Sequence, residues 1–395
     1  MPYYSSVGAI PPKRHTRFPN PDGGLYAEEL MGVEGFSADS ALLYHRHLPT
    51  SIVDAVPADL GARATMANHP LKPRHIRSQD MKWDAPAEVD AVTGRRVLFG
   101  NADVTICFAV ATAPSPLYRN AVGDELFYIQ GGCGTVETSY GALRVSDGDY
   151  VVLPTSTTYR VLPEQGEELR CYILEAAGHV GPPRRYLGAK GQFLEHAPYC
   201  ERDLRRPELP LLIEGTDVDV LVRTRAGATR YTYANHPFDV VGWDGCLYPW
   251  AFNIADFEPI TGRVHQPPPV HQTFEGPGFV VCSFVPRKVD YHPESIPVPY
   301  NHANVDSDEL MFYVRGNYEA RKGSGIGIGS LSLHPGGFTH GPQPGAAEAS
   351  HGVDYFDETA VMVDTFRPLE LGEAATTHED PNYAWSWARR GPGSR

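Results

Sequence analysis

Asp308-Glu309-Leu310-Met311-Phe312-Tyr313-Val314 has an echo earlier in the chain, Asp124-Glu125-Leu126-Phe127-Tyr128-Ile129. Each glutamate is followed, after six intervening residues, by a glycine, Gly316 and Gly132. Further on, Gly329-Ser330-Leu331-Ser332-Leu333-His334-Pro335 answers Gly148-Asp149-Tyr150-Val151-Val152-Leu153-Pro154. Pro335 lies 26 residues beyond Glu309 and Pro154 lies 29 beyond Glu125. Two copies of one strand-turn-strand unit at similar intervals predict two small antiparallel β barrels in tandem.

The rest of the sequence agrees with a mainly β fold. Runs such as Val104 to Thr112, Gly134 to Thr138, Arg170 to Leu174, Val218 to Arg223, Phe279 to Val285 and Val361 to Asp364 are rich in Val, Ile, Phe, Tyr and Thr and lie between Gly, Pro and Asp turns. Helical periodicity is weak; Ser37 to Tyr44 is the best candidate, with Glu201 to Arg206 as a turn. The repeat divides the 395 residues into an N-terminal β domain, 1–205, and a C-terminal catalytic domain, 206–395.

Composition narrows the function classes. Asp and Glu number 48 against 34 Lys and Arg, a formal charge of -14 that would repel nucleic-acid phosphates and anionic lipid. No apolar run of about 18 residues occurs, and Met1 to Asn20 carries Pro11, Pro12, Lys13, Arg14 and His15 where a secretory leader needs an apolar stretch. A soluble cytoplasmic protein without nucleic-acid or membrane partners is expected. The six cysteines are scattered singly, which suits buried reduced thiols.

The second copy carries the chemistry. His302, Glu309 and Gly316, then Gly329, Pro335, Gly337 and His340, resemble the two motifs of the cupin superfamily, with Asn304 in place of the second histidine of the first motif. Two imidazoles and one carboxylate on one face are the ligand set of non-heme Fe(II) oxygenases, which leaves positions open for substrate and O₂. Asp308 neighbours Glu309, but the spacing to Gly316 selects Glu309. In the first copy the same intervals fall on Tyr118, Asn120 and Tyr159. With both imidazoles missing, that barrel is expected to be degenerate and metal-free. His45 and His47 also have ligand-like spacing, but no carboxylate follows, and a strand or loop explains them equally well.

From about Tyr231 to Pro344 the chain resembles homogentisate 1,2-dioxygenases. The stretches that carry this are Asp239-Val240-Val241-Gly242-Trp243-Asp244-Gly245, Phe252-Asn253-Ile254, Pro299-Tyr300-Asn301-His302, Arg315-Gly316-Asn317-Tyr318-Glu319-Ala320 and His340-Gly341-Pro342. The resemblance implies a bicupin of tandem double-stranded β-helix (jelly-roll) barrels, a trimer or hexamer, and Fe(II) held by His302, Glu309 and His340. It further implies Tyr318 as the hydroxyl that holds the substrate side chain, His265 as the pocket base, and His334 beside the metal, with His334 and His340 both at the substrate. Asn301 and Asn317 depart from the family pattern, as does the one-residue longer interval from His302 to Glu309.

Some alternatives stay open. His271 could be the base instead of His265, and Tyr318 could be a core aromatic. The reaction expected is conversion of homogentisate and O₂ to maleylacetoacetate. The other readings are ring cleavage of gentisate, another hydroquinone or an aminophenol, a redox-neutral isomerase or decarboxylase, and a non-catalytic ligand-binding bicupin.

Overall fold

The computed structural model describes residues 3–61, 63–81 and 88–388. The fold is mainly β, with two α-helices of one turn each, Ala346–Ala349 and Glu373–Thr377, among the described residues. None of these helices is long and apolar enough to cross a membrane. The chain forms two compact units, one of Met1–Ala62, Ala85–Arg95 and Cys107–Asn253, the other of Arg63–Asp84, Arg96–Ile106 and Ile254–Arg395.

The chain between the two repeat copies divides differently from the expectation at 205/206. Strands Val218–Thr224 and Gly227–Tyr233 pair into the sheet that contains Leu117–Asn120, and Trp250–Asn253 pairs with Asp149–Leu153, so residues up to 253 build the first unit. Ladder hydrogen bonds to partners far back in the sequence decide this, and they leave no local signature.

Inside the first unit the strand Glu125–Gly131 lies between Asp149–Leu153 and Leu169–Ala176. A second sheet runs Gly141–Val145, Gly134–Thr138, Thr158–Pro163, Leu117–Asn120, Val218–Thr224, Gly227–Tyr233, Ile52–Ala58. In the second unit one sheet runs Gln272–Gly276, Phe279–Phe284, Glu358–Thr365, Asp308–Gly316, Ser330–His334, Arg74–Arg77. These sheets end in free edges, so the jelly rolls are sandwich-like and not closed barrels. Both faces of these strands carry buried apolar side chains, among them Leu126, Ile173, Leu310, Phe312 and Val363.

The repeat extends to the backbone. Each glutamate strand has a register shift at the same place, between Ile129 and Gly131 and between Tyr313 and Arg315. Gly132 and Gly316 close these bulges at φ of 83° and 97°, where a Cβ would meet the carbonyl oxygens of Glu168 and Asp357 at 2.0 Å. The glycines of the sequence motif are thus required by backbone contact.

Ser37 to Tyr44 is a correction. Ser40–His45 is a strand, paired with Val240–Gly245 on one side and Ala27–Gly32 on the other. Its apolar residues Ala41, Leu42, Leu43 and Tyr44 are buried on both faces, a continuous apolar run that imitates helix periodicity. Glu201–Asp203 forms the expected turn, as a 3-10 turn followed by the short strand Leu204–Arg205. None of the six cysteines, all among the described residues, is in a disulfide; Cys107, Cys171 and Cys282 are buried and the others half-buried.

Candidate metal centre

Three elements of the second unit bring His302, Glu309 and His340 together. Glu309 sits on the strand Asp308–Gly316, facing inward with Met311 and Tyr313. His302 and His340 are joined by an antiparallel bridge, each backbone N–H donating to the other's carbonyl at 2.8 Å. That pairing holds the two rings 4.3 Å apart between centroids. One ligand atom from each of the three residues lies within 4.8 Å of the others.

The imidazoles are oriented for an electrophile. His302 Nδ1 donates to the Tyr300 carbonyl at 3.0 Å and His340 Nδ1 to the Phe338 carbonyl at 3.1 Å, which leaves both Nε2 atoms bare of hydrogen. Each Nε2 points at Glu309, at 3.5 Å from His302 and 3.4 Å from His340. The Nε2 of His340 is shut off from solvent and has no hydrogen-bond partner. A buried orphan nitrogen beside a carboxylate and a second such nitrogen fits a divalent cation.

His334 is fully buried beneath this group. Its Nδ1 meets Glu309 Oε1 at 2.9 Å, its Nε2 meets the Tyr383 hydroxyl at 2.9 Å, and its ring stacks on His340 at 4.1 Å. Burial drives its pKa down to about 3, so the ring is neutral, donating from Nδ1 to the carboxylate and accepting from Tyr383. The side chain therefore orients Glu309 from beneath and is not among the residues that line the neighbouring cavity. For Glu309 itself burial works upward, but the surrounding imidazoles of His302, His334 and His340 favour its charged form and hold it well below the usual carboxylate range. In its protonated form His302 would donate from Nε2 to Glu309, which raises its pKa.

The group opens on a cavity of about 370 Å³ within the second unit. Phe284, Met311, Tyr313, Phe356, Ala360 and Met362 form its apolar wall, and His265, His271, Arg287, Arg321 and Glu358 its polar groups. His265 is half-exposed, with Nδ1 3.5 Å from Asp290 Oδ2 and its ring edge-on to Tyr300 at 5.0 Å. His271 lies on Phe284 at 4.4 Å, and burial followed by the Arg287 charge pushes its pKa down to about 3. His271 is therefore a weak proton acceptor.

For Tyr318 the sequence leaves two readings, a hydroxyl that holds the substrate side chain and a core aromatic. Its ring lines the cavity, but its buried hydroxyl donates to the Thr359 carbonyl at 3.1 Å, and its ring packs with Tyr313 and Ala360 in the core. The cation facing the cavity is instead Arg321, buried, with Nη1 on the Gly341 carbonyl at 2.5 Å and Nε on the Tyr313 hydroxyl at 3.2 Å. Arg287 pairs with Glu358 at 3.1 Å and lies over the faces of Phe284 and Phe356. Neither Arg321, Glu358 nor Tyr383 carried a sequence signal. Alternation along Glu358–Thr365 puts Glu358, Ala360, Met362 and Asp364 on one face, which flags Glu358 only once the strand's orientation is known.

His45 lies in the first unit, bonded to Asp239 at 2.6 Å and Glu29 at 3.0 Å, while His47 is exposed near Glu214. Among the described residues, His302, Glu309 and His340 are the group with ligand atoms close enough to hold a metal ion.

Comparison with known proteins agrees in both halves of the chain. Residues 4–254 match the family model described as homogentisate 1,2-dioxygenase N-terminal, and residues 269–390 the one described as homogentisate 1,2-dioxygenase C-terminal. A Saccharolobus solfataricus protein named "Putative dioxygenase" is 38% identical over 396 residues, covering 98% of this chain and 99% of its own. The homogentisate 1,2-dioxygenase of Emericella nidulans is 28% identical over 84% of this chain and 78% of its own length. That of Rhodopseudomonas palustris is 26% identical over 92% and 86%.

Proposed function

The chain belongs to the homogentisate 1,2-dioxygenase family, and from that premise we propose that it is an Fe(II)-dependent ring-cleaving dioxygenase of a hydroquinone-type aromatic, homogentisate being the substrate to try first. The observation that carries the reading is the His302, Glu309, His340 group at the mouth of an aromatic-walled cavity. Fe(II) held by those three residues would bring the phenolate and O₂ into neighbouring positions and let electrons pass from ring to O₂.

The chain's own residues do the rest. Phe284, Met311 and Phe356 offer an apolar bed for one ring and exclude water from it. Asp290 beside Nδ1 of His265 favours the tautomer whose Nε2 is free to take the ring hydroxyl proton. Arg321 supplies positive charge to an acidic side chain on the ring. His334 keeps the Glu309 carboxylate aimed at the centre.

One observation favours a second reading. Glu358 puts a carboxylate into the cavity wall, and the Tyr318 hydroxyl is already committed to Thr359. Both features suit a ring whose substituent is neutral or a donor, such as a plain hydroquinone or an aminophenol. Anaerobic loading with Fe(II), followed by O₂ uptake and ultraviolet absorbance of the ring-opened product across homogentisate, gentisate, hydroquinone and 2-aminophenol, decides between them. Uptake with homogentisate and formation of a maleylacetoacetate-type product is the expected result. Metal binding without uptake on any of these would return the protein to a binding function.

A further inference from the structure

Both units oppose two acidic residues across a ladder at the same register point. Glu125 faces Glu175 in the first unit, and Glu309 faces Asp364 in the second. Directly opposed residues hold their Cβ atoms about 5 Å apart on one face of a sheet. Glu125, Glu175 and Glu309 are buried. Asp364 shares the inward face of its strand with Ala360 and Met362, and its Oδ1 is closed to solvent and lacks a hydrogen-bond partner. Two such carboxylates side by side in a low-dielectric interior need positive charge between them.

The first unit supplies that charge from its own chain. Arg95 Nη1 lies 2.6 Å from Glu125 Oε1 and 2.6 Å from Glu175 Oε1, and Arg223 bonds the other oxygen of Glu175. Two guanidiniums thus balance two carboxylates. In the second unit Glu309 is met by three histidines, and among the described residues no lysine or arginine forms an ion pair with Asp364. Two opposed carboxyl groups that share no guanidinium or ammonium leave room for one divalent cation beside them.

We infer that Asp364 is a fourth member of the cation centre, an outer carboxylate that, with Glu309, draws a divalent ion into the place that Arg95 fills in the first unit. It lies outside the group of ligand atoms within 4.8 Å of one another, so it acts by charge across the gap and by holding its neighbour in register, and not as a ligand. The inference rests on reading the second unit as a divalent-cation centre and is independent of the substrate.

The test is titration of the full chain with Co(II) against a chelator of known affinity, read by the visible Co(II) bands and by the metal-induced rise in melting temperature. Asp364→Asn is expected to weaken Co(II) about 10- to 100-fold, to leave the band positions unchanged because the ligands are intact, and to melt no lower than the parent when both are metal-free. Asp364→Glu, which restores the charge, should recover most of the affinity. Should Asp364→Asn fail to fold, Asp364→Ser carries the same comparison. Parent-like Co(II) affinity in the folded uncharged variant would overturn the proposal while leaving the centre standing. Absence of Co(II) binding by the parent chain would overturn the reading of the centre itself, and with it this role for Asp364.

Discussion

The first unit closes with its own chain what the second leaves open. Where the second sets His302 opposite His340 by an antiparallel bridge, the first sets Tyr118 opposite Tyr159 in the same relation. Arg95 fills the space between them: its Nη2 donates to the Tyr159 hydroxyl at 2.7 Å, and its guanidinium lies over the Tyr118 ring at 5.4 Å. A tethered guanidinium cannot exchange, whereas bare imidazole nitrogens facing a carboxylate offer a place that could hold an ion. The same ladder, bulge and glycine serve both, and the side chains at three or four register points choose between them.

The sharpest way to break this comparison is His340→Ala. The second unit should then lose divalent-metal binding, and O₂ uptake with any phenolic substrate should fall by at least about 1000-fold, an effect above 4 kcal/mol at the barrier. Retained uptake in a demonstrably metal-free variant would remove the functional contrast between the units.

Next in size is Arg95→Met. It strands Glu125 and Glu175 in the interior without their shared cation, and removing one partner of a buried pair costs about 3–5 kcal/mol. Urea unfolding followed by far-ultraviolet circular dichroism measures the loss. A change below about 1 kcal/mol would mean that Arg95 is not the counterpart of the metal.

The first unit also has a buried cation that does titrate. Burial alone would lower the pKa of His45, but hydrogen bonds to Asp239 and Glu29 push it up to about 9 from an ordinary 6.5. Because the folded value is the higher one, this stabilisation is complete below pH 6.5 and is lost as pH rises through about 9. The 2.5-unit difference corresponds to an upper value of about 3 kcal/mol. Stability measured from pH 6 to 10 should fall over that window in the parent and stay flatter in His45→Gln; parallel profiles would refute it.

The smallest effect distinguishes the cavity's tyrosine from the family expectation. Since the Tyr318 hydroxyl is bonded to Thr359, Tyr318→Phe should change kcat/KM for homogentisate by no more than about fivefold, roughly 1 kcal/mol. A loss of a hundredfold would show that the hydroxyl turns to the substrate during turnover.

Much of the centre was legible in the sequence because its parts are local. Glu309 and Gly316 lie on one strand and its bulge, and Pro335, Gly337 and His340 on one turn, so spacing alone encodes them. Arg95 escaped notice because its partners lie 30, 64 and 80 residues away along the chain. Asp364 escaped for a similar reason: an acidic residue at the end of an apolar strand reads as a solvated terminus until the ladder sets it against Glu309. The strand Ser40–His45 was misread because burial on both faces erases the period of two that marks a half-buried strand.

By itself, then, the sequence determined a tandem β repeat in which one copy has two histidines and a glutamate where the other has two tyrosines and a glutamate. Those properties depend on residue type and short spacing, which bulges and tight turns convert directly into geometry. Only the tertiary structure decided what balances the first unit's carboxylate pair, which histidines line the cavity, where the Tyr318 hydroxyl goes and which unit claims residues 206–253. Each of these depends on ladder register or on burial, and both are set by pairing between strands distant in the chain, a long-range choice that no local pattern encodes.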